Sequence, residues 1–247
     1  MVDRTGSVAI VGAGDFIGAA IARRFAAEGF RVHGGRRQRD KLDPLRDEIA
    51  ASGGRFTGHS LDARSEEGIA TFLDAADADA PLAACVFNIG ANVNFPLLDT
   101  SERVFRKVWE MACYAGFLTG REAARRMLVH GGGSIFFTGA TASLRGGKGY
   151  AAFASAKAGL RAVAQSMARE MGPHNIHVAH LVIDAGVDTA WVRERIAEAK
   201  GAEAAANLAP DSLVDPASIA EAYWQLHRQP RDAWTHELDL RPFAEPW

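Results

Sequence analysis

The chain predicts an α/β fold: a doubly wound, Rossmann-like parallel sheet of seven strands in one domain spanning residues 1–247. Three observations carry that prediction. Short apolar runs alternate with stretches of helical periodicity along most of the length. The first apolar run ends in a glycine turn that opens a helix. The chain has 247 residues, enough for one large α/β domain, and it carries no repeat, low-complexity segment or long linker that would divide it.

Residues 8–11 are the first apolar run, followed by Gly12, Gly14, Phe16, Ile17 and Gly18. Ile17, Ala20, Ile21, Arg24 and Phe25 recur at spacings of three and four, the stripe of a helix lying on a sheet, and Gly29 suits the position after its end. Strand, glycine turn and helix together form the setting of a dinucleotide fingerprint. The glycines let the backbone approach a pyrophosphate, and the helix N-terminus offers free N–H groups. The plainer alternative is a tight turn with no ligand.

Residues 31–35 make a second strand that runs into Arg36, Arg37, Gln38 and Arg39. An acidic residue at this point would hold the ribose 2′-OH of NAD. None stands before Asp40, and a guanidinium forks readily onto a 2′-phosphate. NADP(H) is therefore expected over NAD(H), the alternative being a solvated basic turn.

The pattern continues with a helix over 42–51, a strand over 56–61 ending at Asp62 and Ala63, and a helix over 66–76 with Ile69, Phe72 and Leu73 on one face. A strand over 83–87 precedes Asn88, Ile89, Gly90 and Ala91. Asp99 to Glu102 reads as a capping box opening one long helix to about 128. The fifth strand, 134–138, leads through a Gly-rich loop into a helix over 150–171, stopped by Gly172 and Pro173. A sixth strand covers 176–183. The Ala/Glu-rich stretch 191–215 reads as helical, with breaks at Pro210 and Pro216, before a helix over 216–226 and an edge strand over 237–241.

Composition narrows the partners. A formal charge of −2 argues against nucleic acid or an anionic membrane. No apolar run approaches the ~20 residues of a membrane helix, and residues 1–5 lack a signal-peptide pattern. Cys85 and Cys113 sit in apolar segments, as buried thiols do in a reducing compartment, and a cytoplasmic location is expected. No metal is expected, since His177 and His180 lie an odd number apart on a strand and point to opposite faces.

The stretch 134–157, SIFFTGATASLRGGKGYAAFASAK, together with the N-terminal glycines, resembles the core of the short-chain dehydrogenase/reductase family. The resemblance covers about residues 8–189. That family carries Tyr-x-x-x-Lys on a helix and a Ser thirteen residues before the Tyr. Here Lys157 matches, Phe153 occupies the Tyr position and Ala140 the Ser position. Ala112 falls where the family often has an Asn. The family's glycines run G-x-x-x-G-x-G; Gly12 and Gly18 match the first and third, Phe16 stands at the second, and Gly14 makes the pattern G-x-G-x-x-x-G.

The resemblance implies further roles. Lys157 would hold the nicotinamide ribose. Asp62 and Ala63 would border adenine, Asp62 being otherwise a helix cap. Asn88 and Gly90 keep part of the family's Asn-Asn-Ala-Gly turn, and Thr189 matches the Thr that follows the sixth strand. Asp184 and Ala185 stand in place of the family's Pro-Gly. Residues 190–215 would cover a small-molecule substrate, and the helices around 100–128 and 150–171 would pair into a dimer or tetramer. Tyr150, one turn before Phe153, and Asp184 are candidates for the missing proton donor, and Thr138 shares a strand face with Ala140. Three functions follow: an NADP(H)-dependent oxidoreductase with an altered catalytic tetrad, a nucleotide binder without chemistry, and a cofactor-free lyase. The last is similar to halohydrin dehalogenases, which also put a Phe in the glycine loop.

Overall fold

The computed structural model describes residues 6–245, so the stretch 1–5 read for a leader lies outside the described residues. Seven strands form one parallel sheet in the order β3-β2-β1-β4-β5-β6-β7: β1 (Ser7–Val11), β2 (Arg31–Arg36), β3 (Arg55–Ser60), β4 (Leu82–Phe87), β5 (Gly133–Thr138), β6 (Ile176–Ile183) and β7 (Glu237–Leu240). All five residues of β1 and all eight of β6 are buried. That is why β1 reads as apolar after Ser7 and β6 as apolar except at His177 and His180: helices cover both faces of the sheet.

One face is covered by α1 (Ile17–Ala27), α2 (Asp43–Ala51) and α9 (Pro216–His227), whose core includes Phe25, Phe30, Phe136, Tyr223 and Trp224. The other lies under α3 (Glu66–Asp79), α5 (Ala115–His130) and α6 (Ala151–Met171), around Phe72, Phe87, Phe137 and Leu160. The strand order reverses at β1, between β2 and β4. Chains leaving the carboxyl ends of β1 and β4 therefore diverge to opposite sides and open a crevice, the place where ligands bind in sheets of this type.

Three local expectations are corrected. The single helix expected to about 128 is α4 (Glu102–Trp109), a π turn (Glu110–Tyr114) and then α5. The turn places Ala112 and Cys113 in the cluster around Phe153, so tertiary packing sets its extra residue. The cap of α4 is Ser101, whose hydroxyl accepts from the Val104 N–H at 3.3 Å, and not Asp99. The stretch 191–215 holds α7 (Ala190–Lys200) and α8 (Ala202–Ala206), parted at Gly201 with φ of 95°. The remainder is irregular and is tied back by a bridge between Val187 and Val214.

Buried histidines make the fold acid-sensitive. His180 and His227 are pushed down to about 4 by burial, while an unfolded histidine titrates near ~6.5. Between those values the unfolded chain binds protons that the folded chain does not, so stability rises with pH across the window and falls as pH drops through it. Thermal unfolding followed from pH 7 to pH 4 is expected to show a steady loss of Tm beginning below ~6.5. A Tm that stays flat down to pH 4.5 would contradict this reading. Both cysteines are free and buried, and burial raises the Cys85 thiol to about 12. Among the described residues no helix is long and apolar enough to cross a membrane, and no group of three potential metal ligands comes together.

Candidate active site

The crevice comprises two cavities that share Gly14, Asn88 and Ile89. The first, about 750 Å³, lies over the carboxyl ends of β5 and β6. The second, about 610 Å³, lies over β1 and β2 and reaches Arg36, Arg37, Asp62 and Ala63.

The glycine turn is built for close approach. Gly12 has φ of 94°, and a Cβ there would sit 2.7 Å from the Asn88 carbonyl oxygen. A Cβ on Gly18 would meet the Gly12 carbonyl oxygen at 2.6 Å, so α1 packs directly on the turn. Gly14, by contrast, faces open space within both cavities. No side chain caps α1; in its first turn the Ala19 N–H donates to the Gly14 carbonyl at 2.9 Å, and the helix start points its positive dipole end toward the crevice. Phe16 is 40% exposed at the rim of the first cavity. An open glycine and an uncapped helix start fit the pyrophosphate of a dinucleotide.

Asn88 joins three strands. Its amide donates to the Gly12 carbonyl at 3.1 Å, and its oxygen accepts from the Thr138 hydroxyl at 3.0 Å. Thr138 lies 2.7 Å from the buried Tyr223 phenol. Tyr223 thus supports the site from the opposite side of the sheet, a link between residues 85 positions apart that the sequence does not disclose. Gly90, beside this junction, opens onto the first cavity.

At the other end, Arg36 pairs with Asp15 at 2.7 Å. No ion pair engages Arg37 among the described residues. Asp62 is held at about 2, chiefly by its bond to Arg64. It does not cap a helix: α3 is capped by Ser65, which accepts from the Gly68 N–H at 3.0 Å.

Lys157 is 2% exposed. Its Nζ donates to the carbonyls of Ile89 at 2.9 Å and Thr138 at 2.8 Å, clamping the ends of β4 and β5 together. An ammonium has three donors, so one remains. Burial lowers its pKa to about 7. Phe153, one turn earlier on α6, packs with Val108, Ala112, Ala142 and Ala156, its ring centroid 5.9 Å from Nζ. Ala140 borders this cluster, and its N–H donates to Ser143 Oγ at 3.1 Å. The structure therefore brings Lys157, Phe153, Ala140 and Ala112 to one place, with Tyr150 at the start of α6 in the same cavity wall. Thr189 lines that cavity too and caps α7 by accepting from the Val192 N–H at 3.1 Å.

Asp184 does not suit the part of a substitute acid. Its carboxylate is 1% exposed and bonded to Thr141, Arg145 and Arg241. Burial opposes its charge, yet those partners outweigh burial and hold the group below its ordinary range. A carboxylate so committed stays ionised and keeps no proton to give.

A parallel sheet with a glycine-lined crevice at its switch point, and a buried lysine at one end, defines the class of nucleotide-dependent α/β enzymes. The chain belongs to the short-chain dehydrogenases, oxidoreductases whose fold binds nicotinamide cofactors: the family model described as "short chain dehydrogenase" matches residues 7–200. It is 58% identical to a short-chain dehydrogenase of known structure from Rhodopseudomonas palustris, with a TM-score of 0.83 over 97% of this chain and 99% of that one. It is 32% identical over 182 residues to the L-rhamnose 1-dehydrogenase (NAD(P)(+)) of Azotobacter vinelandii, covering 71% of this chain and 70% of that protein. A hydroxysteroid dehydrogenase from Escherichia coli superposes with a TM-score of 0.80 at 25% identity, over 96% of each chain.

Proposed function

We propose that the chain is an NADP(H)-dependent oxidoreductase whose catalytic tetrad is altered at three of its four positions. The observation that carries this is the continuity of the crevice from Arg36 and Arg37 at one end to Lys157 at the other. A bound nicotinamide would supply or accept a hydride. The chain's own residues do the rest: Gly12, Gly14, Ile17 and Gly18 cradle the pyrophosphate, Asp62 and Ala63 border the adenine, and Asn88, Gly90 and Thr189 line the nicotinamide half. Lys157 keeps one N–H for the ribose. Phe153, Ala140 and Ala112 stand where the family carries Tyr, Ser and Asn, so no phenol lies beside Lys157, and simple ketones are reduced slowly. Tyr150 is the phenol in the cavity wall that remains as a proton donor. The cofactor-free lyase reading gains no support, since Phe16 sits at the rim and leaves Gly14 open.

Cofactor choice rests on Arg37, which has no ion pair among the described residues, with Arg36 beside it. Charge-assisted hydrogen bonds contribute ~1.5–3 kcal/mol, so NADPH is expected to bind at least about ten-fold tighter than NADH. Fluorescence titration of both cofactors, repeated on Arg37→Ala, measures the preference and its source. Equal affinities in the parent chain would refute it.

Phe105, Trp109 and Phe117 are exposed along α4 and α5, Trp109 at 41% and stacked on Tyr114. Three large exposed rings on one continuous face favour a two-fold symmetric dimer or tetramer of this chain. Light scattering at micromolar concentration is expected to give a multiple of 26.4 kDa. A monomer mass would exclude the assembly.

A further inference from the structure

We infer that the substrate taken by the cavity beside Lys157 is an apolar molecule carrying a carboxylate, and that Arg145 binds this carboxylate. The inference rests on the oxidoreductase reading above and narrows it to a substrate class.

The cavity wall is the first observation. At about 750 Å³ it has the size of a small-molecule site. Most of its wall is apolar, with Phe16, Ile89, Phe153, Ile183 and Trp191 as the large contributors. Among the described residues its charged lining groups are Arg145 and Lys157, and no acidic residue lines it. Lys157 is 2% exposed and spends two of its three donors on backbone carbonyls. Arg145, from the loop between β5 and α6, is the cation within reach of an entering molecule, its side chain 57% exposed.

The second observation is how Arg145 is held. Asp184 lies at the end of β6, with Arg145 nitrogens at 3.2 and 3.4 Å from its oxygens. These contacts are long. The same carboxylate is bonded more closely by the Thr141 hydroxyl and by Arg241. Arg241 also has Asp239 at 3.6 Å. Two guanidinium groups thus converge on one buried carboxylate, and the half-exposed one has the looser grip. Arginine has five N–H donors in a planar fork, and Asp184 takes two of those on Arg145. The remaining donors match a carboxylate edge to edge. Asp184 is a positioning residue here: it fixes the direction of the fork without consuming it.

The test uses ligand binding rather than turnover. Decanoate, methyl decanoate and NADP⁺ are each titrated calorimetrically into the parent protein, Arg145→Met and Arg145→Lys. Decanoate is expected to bind the parent at least ten-fold tighter than its methyl ester. Arg145→Met should bring the acid down to the affinity of the ester, leaving the ester and NADP⁺ unchanged. Arg145→Lys should retain part of the preference, and it keeps the test open if the Met variant does not fold. Equal affinity for acid and ester in the parent overturns the inference, as does a preference that survives Arg145→Met. NADP⁺ binding separates the two readings. If NADP⁺ binds and the acid preference is absent, only the substrate class falls. If NADP⁺ does not bind while an Arg145-dependent acid preference remains, the oxidoreductase reading falls and the anion site stands.

Discussion

The double variant Phe153→Tyr, Ala140→Ser is expected to reduce simple ketones at least ~10²-fold faster than the parent chain, given what general acids and oxyanion donors contribute. Phe153 already sits one turn from Lys157 with its ring centroid 5.9 Å from Nζ, and it lines the cavity. The change asks for the room of one oxygen. Ala140 lines the same cavity and is not fully buried, so a serine hydroxyl enters without displacing the core. Lys157 would then lower the pKa of a new phenol, as an adjacent cation does. Each single variant should gain less, because proton donor and oxyanion partner act as a unit. The measurement is NADPH oxidation across a panel of ketones, with cofactor affinity determined separately. A double variant that folds, binds NADPH and stays inactive would show that these positions do not correspond to the family's Tyr and Ser.

Asp184→Asn is expected to lower Tm by roughly 6–20 °C. Removing one partner of a buried ion pair costs about 3–5 kcal/mol, and a chain of this size loses about 2–4 °C per kcal/mol. Asparagine keeps the shape but removes the negative charge on which Arg241, its side chain 12% exposed, converges with Arg145. The Asp239 carboxylate lies farther from Arg241, at 3.6 Å, and is a weaker counter-charge. The pH dependence identifies the cause. Because the folded carboxyl is held below its unfolded value, its contribution is fully present above the unfolded pKa and is lost as pH falls through the folded one. The Tm gap between parent and variant should therefore be widest near neutrality and narrow in acid below ~4. Were Asp184 instead the proton donor, the variant would keep its Tm and lose turnover. Calorimetry at pH 7 and pH 3.5 distinguishes the two.

How far the fold and the site are legible in the sequence follows from the range of the interactions concerned. Residues 176–183 are recognisable as a strand because eight consecutive buried positions force a mostly apolar run, interrupted at His177 and His180. The end of α1 is legible because Gly29 takes φ of 92°, which side chains resist. The π turn around Ala112 is not legible, since α-helical periodicity runs through it and its contacts with the cluster around Phe153 form only in the folded chain. The capping-box pattern points to Asp99, whereas the chain's path into α4 gives the cap to Ser101.

By itself the sequence determined the alternation of strands and helices, the glycine turn, the basic pair at the end of β2, and the placement of Phe153 and Ala140 around Lys157 in the linear pattern. The elements, the glycine turn and the basic pair depend on local backbone chemistry and on periodicity, which a linear pattern records, whereas the last rests on the family resemblance. The tertiary structure alone decided the electrostatics. Arg145 and Arg241 lie 39 and 57 positions from Asp184, and neither guanidinium has a local signal that it will meet a buried carboxylate. Tyr223 reaches Thr138 only because α9 closes over that face of the sheet. The family pattern marks Lys157 in the sequence, but its burial and its two carbonyl partners arise only when β4 and β5 close on it. Desolvation and convergence are properties of packing, so they enter only when the chain has folded.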